Sequence, residues 1–173
     1  MNDPNPEHPG FRRIEPSALE RLVSEAQDRS RGRTNLNLHP ELTDPIQRFC
    51  NILTQGSYVR PHRHEQPPRW ELFVGLEGRV AILGFDDHGT VRERIELGPE
   101  TTRIVEIPAG AWHSLTALTP SAVLFELKPG PYTPLTDKDF AAWAPREGDA
   151  AAPAFTAWMR TARPGDPAPA VPR

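Results

Sequence analysis

The sequence predicts an all-β domain, a sandwich or closed barrel, with one helix before it and an ordered arm after it. Three observations predict it. The stretch from Thr34 to Lys128 breaks into short β-like runs, at Ile46–Leu53, Ser57–Arg60, Trp70–Leu76, Arg79–Phe85, Thr90–Leu97, Arg103–Ile107, His113–Leu118 and Ala122–Lys128. Turn residues separate many of them, including Asp86-Asp87-His88-Gly89, Leu97-Gly98-Pro99 and Thr119-Pro120-Ser121. No helical periodicity intervenes, which favours antiparallel pairing over crossover connections.

Taken in order, residues 1–33 form a loose, proline-rich start and then a helix. Ser17 with Glu20 reads as a capping box, and Leu19, Leu22, Val23 and Ala26 recur at helical spacing. The polar run from Asp28 to Arg33 ends the helix, with Gly32 as its terminator. Residues 34–148 form the β domain and the arm that follows it. Trp70–Leu76 and Arg79–Phe85 are apolar on both faces, so the helix, the C-terminal segment or a second subunit must cover their outer sides. Thr90–Leu97 alternates Arg92, Arg94 and Glu96 with Val91, Glu93, Ile95 and Leu97, which predicts one wet face. Tyr132, Phe140 and Trp143 are too apolar for a linker, and Asp137 and Lys138 are expected to help fix the arm. Residues 149–173 hold a short helix near Ala151–Thr161, then a Pro/Ala-rich tail expected to be partly disordered.

Bulk properties narrow the functions. Net charge is −3 and no basic block occurs, which argues against a nucleic-acid surface. The longest apolar stretch, Val80 to Phe85, is too short to span a bilayer. Met1–Gly10 has no basic segment followed by an apolar one, so a soluble cytoplasmic protein is expected. Cys50 is the single cysteine and sits in a strand-like run, as a small buried hydrophobe would.

The chemistry concentrates between Gly56 and Gly78. His62 and His64 are two residues apart on an extended segment, which puts both imidazoles on one face. Glu71 opens the next strand, and Pro108-Ala-Gly-Ala-Trp-His113 supplies a third imidazole later. Three imidazoles and a carboxylate suit one borderline divalent ion, Fe, Mn, Ni or Zn, but not calcium or magnesium. Four protein ligands on an octahedral ion leave two positions open. Tyr58 and Arg60 alternate with His62 and His64, which makes them candidates for substrate contact or proton transfer. Glu126 and Lys128 share a strand face with Leu124 and are candidates for the mouth of the site. His39 is expected to be structural, and His8 and His88 solvated.

These residues carry a family resemblance. Gly56, His62, His64, Glu71 and Gly78 resemble the first cupin motif, G-x5-H-x-H-x(3,4)-E-x6-G, with six residues rather than three or four between His64 and Glu71. The extra residues around Gln66-Pro67-Pro68 read as a longer loop, which leaves Glu65 as the alternative ligand. Pro108, Gly110 and His113 resemble the second motif, with Thr102 and Ala117 replacing its flanking glycine and asparagine. The segments Asn35–His39, Asp44–Arg48, Tyr58–His64, Trp70–Phe73, Lys128–Tyr132 and Asp137–Phe140 resemble WbuC-type cupin fold metalloproteins, across about Leu19 to Gly148. The resemblance implies a cupin double-stranded β-helix, a jelly-roll-type barrel, holding one metal ion through His62, His64, Glu71 and His113. It also implies a bacterial setting associated with O-antigen and lipopolysaccharide gene clusters, and no settled reaction.

Two classes of function follow from these residues. One is a metal-dependent enzyme acting on a sugar or another small oxygen-rich molecule, by isomerisation, epimerisation or oxygen chemistry. The other is a non-catalytic binding or structural cupin subunit. A homodimer is expected from the doubly apolar strands.

Overall fold

The computed structural model describes residues 10–134, 136 and 139–171. His8, Asp137 and Lys138 lie outside the described residues. Helix α1 (Pro16–Asp28) precedes eight strands: β1 (Arg33–Asn37), β2 (Ile46–Thr54), β3 (Glu71–Glu77), β4 (Val80–Phe85), β5 (Val91–Leu97), β6 (Ile104–Ile107), β7 (Trp112–Ala117) and β8 (Ser121–Pro129). Helix α2 (Ala152–Thr161) follows. The strands form two antiparallel sheets, one ordered β1-β2-β8-β3-β6 and the other β5-β4-β7. The architecture is an antiparallel β-sandwich in which the two sheets stay separate rather than closing into a barrel. Between the sheets lie Leu53, Phe73, Val80, Ile82, Leu97, Val105, Leu115 and Leu124.

The elements follow from local chemistry. Helix α1 starts with Pro16 in its first turn, where the missing N–H costs nothing, after Glu15. The expected Ser17–Glu20 capping box does not form, because Ser17 is already inside the helix. Between β3 and β4, Gly78 turns the chain at φ +65°, and a Cβ there would overlap the Ser121 carbonyl oxygen.

The doubly apolar strands find different covers. Ala81, Leu83 and Phe85 on the outside of β4 pack with Ala141, Phe155 and Met159, so the C-terminal arm and α2 cover that sheet. Helix α1 covers Cys50, Ile52 and Val123 on the outside of the larger sheet. The outside of β3 has no such cover among the described residues.

Two expectations need correction here. Arg94 does not face water. Its guanidinium donates to the carbonyls of Met159, Arg160 and Ala162 at 2.9–3.3 Å, placing a cation on the free carbonyls at the end of α2. The tail after Arg163 is laid along β5: Val91 N–H donates to Asp166 O, Gly165 N–H to Val91 O and Ala168 N–H to Gly89 O. Pairing with a strand edge orders a segment whose composition alone reads as loose. Replacing Arg94 with Met should therefore cost about 2 kcal/mol of unfolding free energy, measured by urea denaturation, and should loosen α2 first in amide exchange. An unchanged midpoint with unchanged protection would show that the three carbonyl contacts contribute nothing.

Candidate metal centre

The segment carrying His62 and His64 is not a long regular strand. It pairs by single bridges, His62 with His113 on one side and with Phe140 on the other. His62 N–H donates to His113 O and His113 N–H to His62 O, both at 2.9 Å. Ala141 N–H donates to Pro61 O and Arg63 N–H to Asp139 O, each at 2.9 Å. The three-stranded sheet is thus continued past β7 by residues 61–63 and then by the arm at 139–141. His64 is held through its carbonyl, which accepts from Gly110 N–H at 3.0 Å. Gly110 itself turns at φ +79°, the left-handed region that suits glycine. Glu71 comes from the facing sheet, where it opens β3 opposite Ile107.

One ligand atom from each of His62, His64, Glu71 and His113 lies within 4.8 Å of the others. His62 Nδ1 and His113 Nδ1 each lie 2.9 Å from a backbone carbonyl, of Arg60 and Ala111 respectively. A carbonyl only accepts, so Nδ1 carries the proton and Nε2 of each neutral ring presents a lone pair to the interior. His113 Nε2 lies 2.9 Å from Glu71 Oε2, and His64 Nε2 2.9 Å from Glu71 Oε1. His113 Nε2 is buried and makes no hydrogen bond of good geometry. A neutral imidazole lone pair facing a carboxylate oxygen needs a cation between them. A proton or a metal ion can serve, so the donor set fits a divalent metal.

Electrostatics agree with that arrangement. Burial pushes His62 down to about 3, reinforced by His113, which leaves the ring neutral. Burial alone would raise Glu71, but Lys128, His113 and His64 together hold it well below the usual carboxylate range. Burial would lower His113 as well; Glu71 outweighs it and raises the ring's affinity for a proton.

A polar chain leads away from Glu71. Lys128 Nζ lies 3.0 Å from Glu71 Oε1 and 2.8 Å from Glu126 Oε1, and 5.2 Å from the centre of the Phe49 ring. Asn51 Nδ2 donates to Glu126 Oε2. Burial raises Glu126 to about 7, with Lys128 opposing that rise. Lys128 is held above its ordinary value, because Glu126 and Glu71 outweigh its own burial. The structure brings Glu126 and Lys128 to the cluster, together with Asn51 and Phe49, which the sequence reading did not single out. Their signal was the alternation of β2, which turns Phe49 and Asn51 inward with Leu53.

Tyr58 and Arg60 lie elsewhere. The Tyr58 hydroxyl donates to Pro145 O at 2.9 Å, and its ring packs edge-on against Phe155 in the outer cluster. Burial raises its phenol above the ordinary value. Arg60 donates to Ala141 O at 2.9 Å and lies over Phe140. The expected alternation fails because residues 57–60 form no ladder. The Tyr58 carbonyl accepts from the Arg33 guanidinium and the Val59 carbonyl from the Ser114 hydroxyl. Glu65 pairs with Arg63 at 2.7 Å and is exposed, away from the cluster. His39 is buried against the Arg48 backbone, 3.0 Å from its N–H and carbonyl.

Comparison with known proteins finds a partial family match and several remote structural similarities. Residues 14–97 match the model of a family described as a domain of unknown function, DUF6016. No curated protein matches the chain. Similar solved structures include TT1209 from Thermus thermophilus, at 20% identity and a TM-score of 0.48, covering 64% of this chain and 92% of that one. A cupin superfamily protein from Desulfitobacterium hafniense is similar at 18% identity and a TM-score of 0.47, over 62% and 86% of the two chains. KdgF from Halomonas is similar at 19% identity and 0.47, over 65% and 87%.

Glu71→Gln should lower zinc or manganese affinity at least tenfold, whereas Glu65→Gln should leave it within twofold, measured by competition with a chromogenic chelator. The reverse order would move the carboxylate ligand to the loop.

Proposed function

We propose that the chain is a mononuclear metalloprotein whose metal, held by His62, His64, Glu71 and His113, binds a small oxygen-rich anion in the interior of the sandwich. The observation that carries this reading is the convergence of three imidazoles on one buried carboxylate, with two of the rings fixed by backbone carbonyls so that Nε2 points inward. Bound there, the ion would supply Lewis-acid polarisation of a substrate oxygen, or oxygen chemistry if it is iron.

The protein's own residues narrow the ligand. A divalent cation and Lys128 oppose Glu71 and Glu126, which leaves one net positive charge with both carboxylates ionised. A carboxylate or an ionised hydroxyl balances that charge; a neutral sugar does not. Lys128 orients the anion by donating from Nζ. Glu126, raised to about 7, is placed to hold or release a proton one contact further out. A sugar acid or related molecule meets these requirements, and the resemblance to WbuC-type proteins supports O-antigen or lipopolysaccharide biosynthesis as the setting. None of the described helices is long and apolar enough to cross a membrane. We take the working unit to be a cytoplasmic homodimer.

Protein purified without chelator or affinity metal should carry close to one equivalent of iron, manganese, nickel or zinc by elemental analysis. His62→Ala and His113→Ala should carry at most a tenth of that. Full occupancy in either variant, or none in the parent after reconstitution, would end the metal reading. In calorimetric titration the zinc-loaded protein should bind glucuronate and not glucose. Lys128→Met should keep the metal and lose at least tenfold in glucuronate affinity. Equal binding of the two sugars would remove the anion from the assignment.

A further inference from the structure

Arg69 stands two residues before Glu71 and is 7% exposed. Burial alternates through this stretch: Arg69, Glu71 and Phe73 are buried, Trp70 is exposed and Leu72 half-buried. Arg69 therefore continues the inward face of β3 beyond Glu71, at the polar end of the sandwich. Its own N–H donates to the His64 carbonyl at 3.3 Å, which closes the loop between that ligand and β3. Along extended backbone, residues two apart are separated by roughly 6–7 Å. The Arg69 side chain thus starts within a small ligand's length of the metal cluster.

The chain after β8 runs past the same end. Gly130 N–H donates to Pro45 O at 2.8 Å and Tyr132 N–H to Leu42 O at 2.7 Å, which ties its start to the β1–β2 loop of the larger sheet. At its far end Asp139 and Ala141 pair with Arg63 and Pro61. Arg69 meets this segment between those ties: its Nη2 donates to the Thr133 hydroxyl at 2.8 Å. A cleft of about 640 Å³ opens beside Thr133, with Arg63 and Gln66 on its other wall.

A guanidinium carries five N–H donors and a full charge, and burying it without a carboxylate is costly. Among the described residues no carboxylate pairs with Arg69. Glu65 is engaged by Arg63 at 2.7 Å, Asp139 by the Thr136 N–H and hydroxyl, and Glu71 by Lys128. Counting Arg69 with Lys128 and a divalent ion, against Glu71 and Glu126, raises the surplus at this end of the sandwich from one positive charge to two.

We propose that Arg69 receives a second anionic group of the ligand, so that, given the anion-binding metal centre proposed above, the site is built for a small dicarboxylate. One carboxylate lies toward the metal and Lys128, and the other is held by the guanidinium fork of Arg69. An extended sugar diacid bridges the distance between them. A monoanion leaves Arg69 unpaired.

Gluconate and glucarate share one six-carbon polyol chain and differ in the second terminal carboxylate. In calorimetric titration of the zinc-loaded full chain, glucarate should bind at least tenfold tighter than gluconate. Arg69→Met should abolish that preference while gluconate affinity and zinc stoichiometry stay within twofold. Arg69→Lys, which keeps the charge, should retain a preference of at least threefold. Thr133→Val removes the hydroxyl and leaves the cation, so the preference should survive within threefold. Equal binding of the two acids would overturn the proposal. So would an equal loss for both in Arg69→Met, or a Thr133→Val variant without preference, since Arg69 would then serve only to pin residue 133. A tenfold gain in glucarate affinity in Asp137→Asn would overturn it too, because the chain would itself supply the counter-ion of Arg69. Glucuronate separates the two failures. If it still binds, only the second carboxylate is refuted; if it does not, the anion-binding reading of the metal centre falls as well.

Discussion

Glu71 carries an ionised carboxylate into the middle of a protein, 3% exposed, on the inward face of a strand whose neighbours are Phe73 and Ile107. An isolated charge there would cost many kcal/mol, and the surrounding polar groups exist to offset it. Lys128 meets one oxygen directly, and a cation held between the carboxylate and the facing Nε2 atoms of His64 and His113 would offset the rest. Lys128 in turn cannot be buried beside one carboxylate without strain on its own solvation, and Glu126 with Asn51 completes the neutralisation. The inner faces of β2, β3 and β8 are therefore apolar at one end, around Leu53 and Leu124, and polar at the other.

That division explains why the chain uses two kinds of backbone. The apolar end is built from regular ladders, where period-two alternation sorts side chains between the sheets. The polar end is built from single bridges, carbonyls accepting from side chains, and the arm at residues 139–141 clasping residues 61–63. Irregular backbone lets three imidazoles approach one carboxylate from different directions, which a flat ladder could not arrange. Its polar groups find partners all the same: Arg33, Ser114 and Arg60 each satisfy a carbonyl in or near this region.

The legible part of the sequence matches this division. Seven of the eight expected runs appear as strands within one or two residues, because alternation and turn residues act locally. The clustering of His62, His64, Glu71 and His113 was legible from the spacing of the histidines together with the resemblance to the cupin motif, whose Glu71-to-Gly78 interval favoured Glu71 over Glu65. What could not be read depends on pairing partners far away in sequence. Ser57–Arg60 has strand composition, yet its carbonyls are taken by Arg33 and Ser114, so Tyr58 turns outward to Pro145 and Phe155 instead of joining the imidazoles. Arg94 looked solvated because nothing nearby in sequence announces the end of α2 above it. The tail at 165–168 looked disordered because its order comes from the exposed edge of β5.

The two covers of the sandwich also differ in a way that bears on function. On the smaller sheet the chain covers itself, with α2 and the arm bringing Trp143, Phe155 and Met159 onto β4. On the larger sheet the α1 cluster reaches Val123 and Phe125, and among the described residues β3 and β6 have no such cover. Glu71 sits on β3 itself, so whatever seals the outer side of that strand also stiffens the one that supplies the carboxylate.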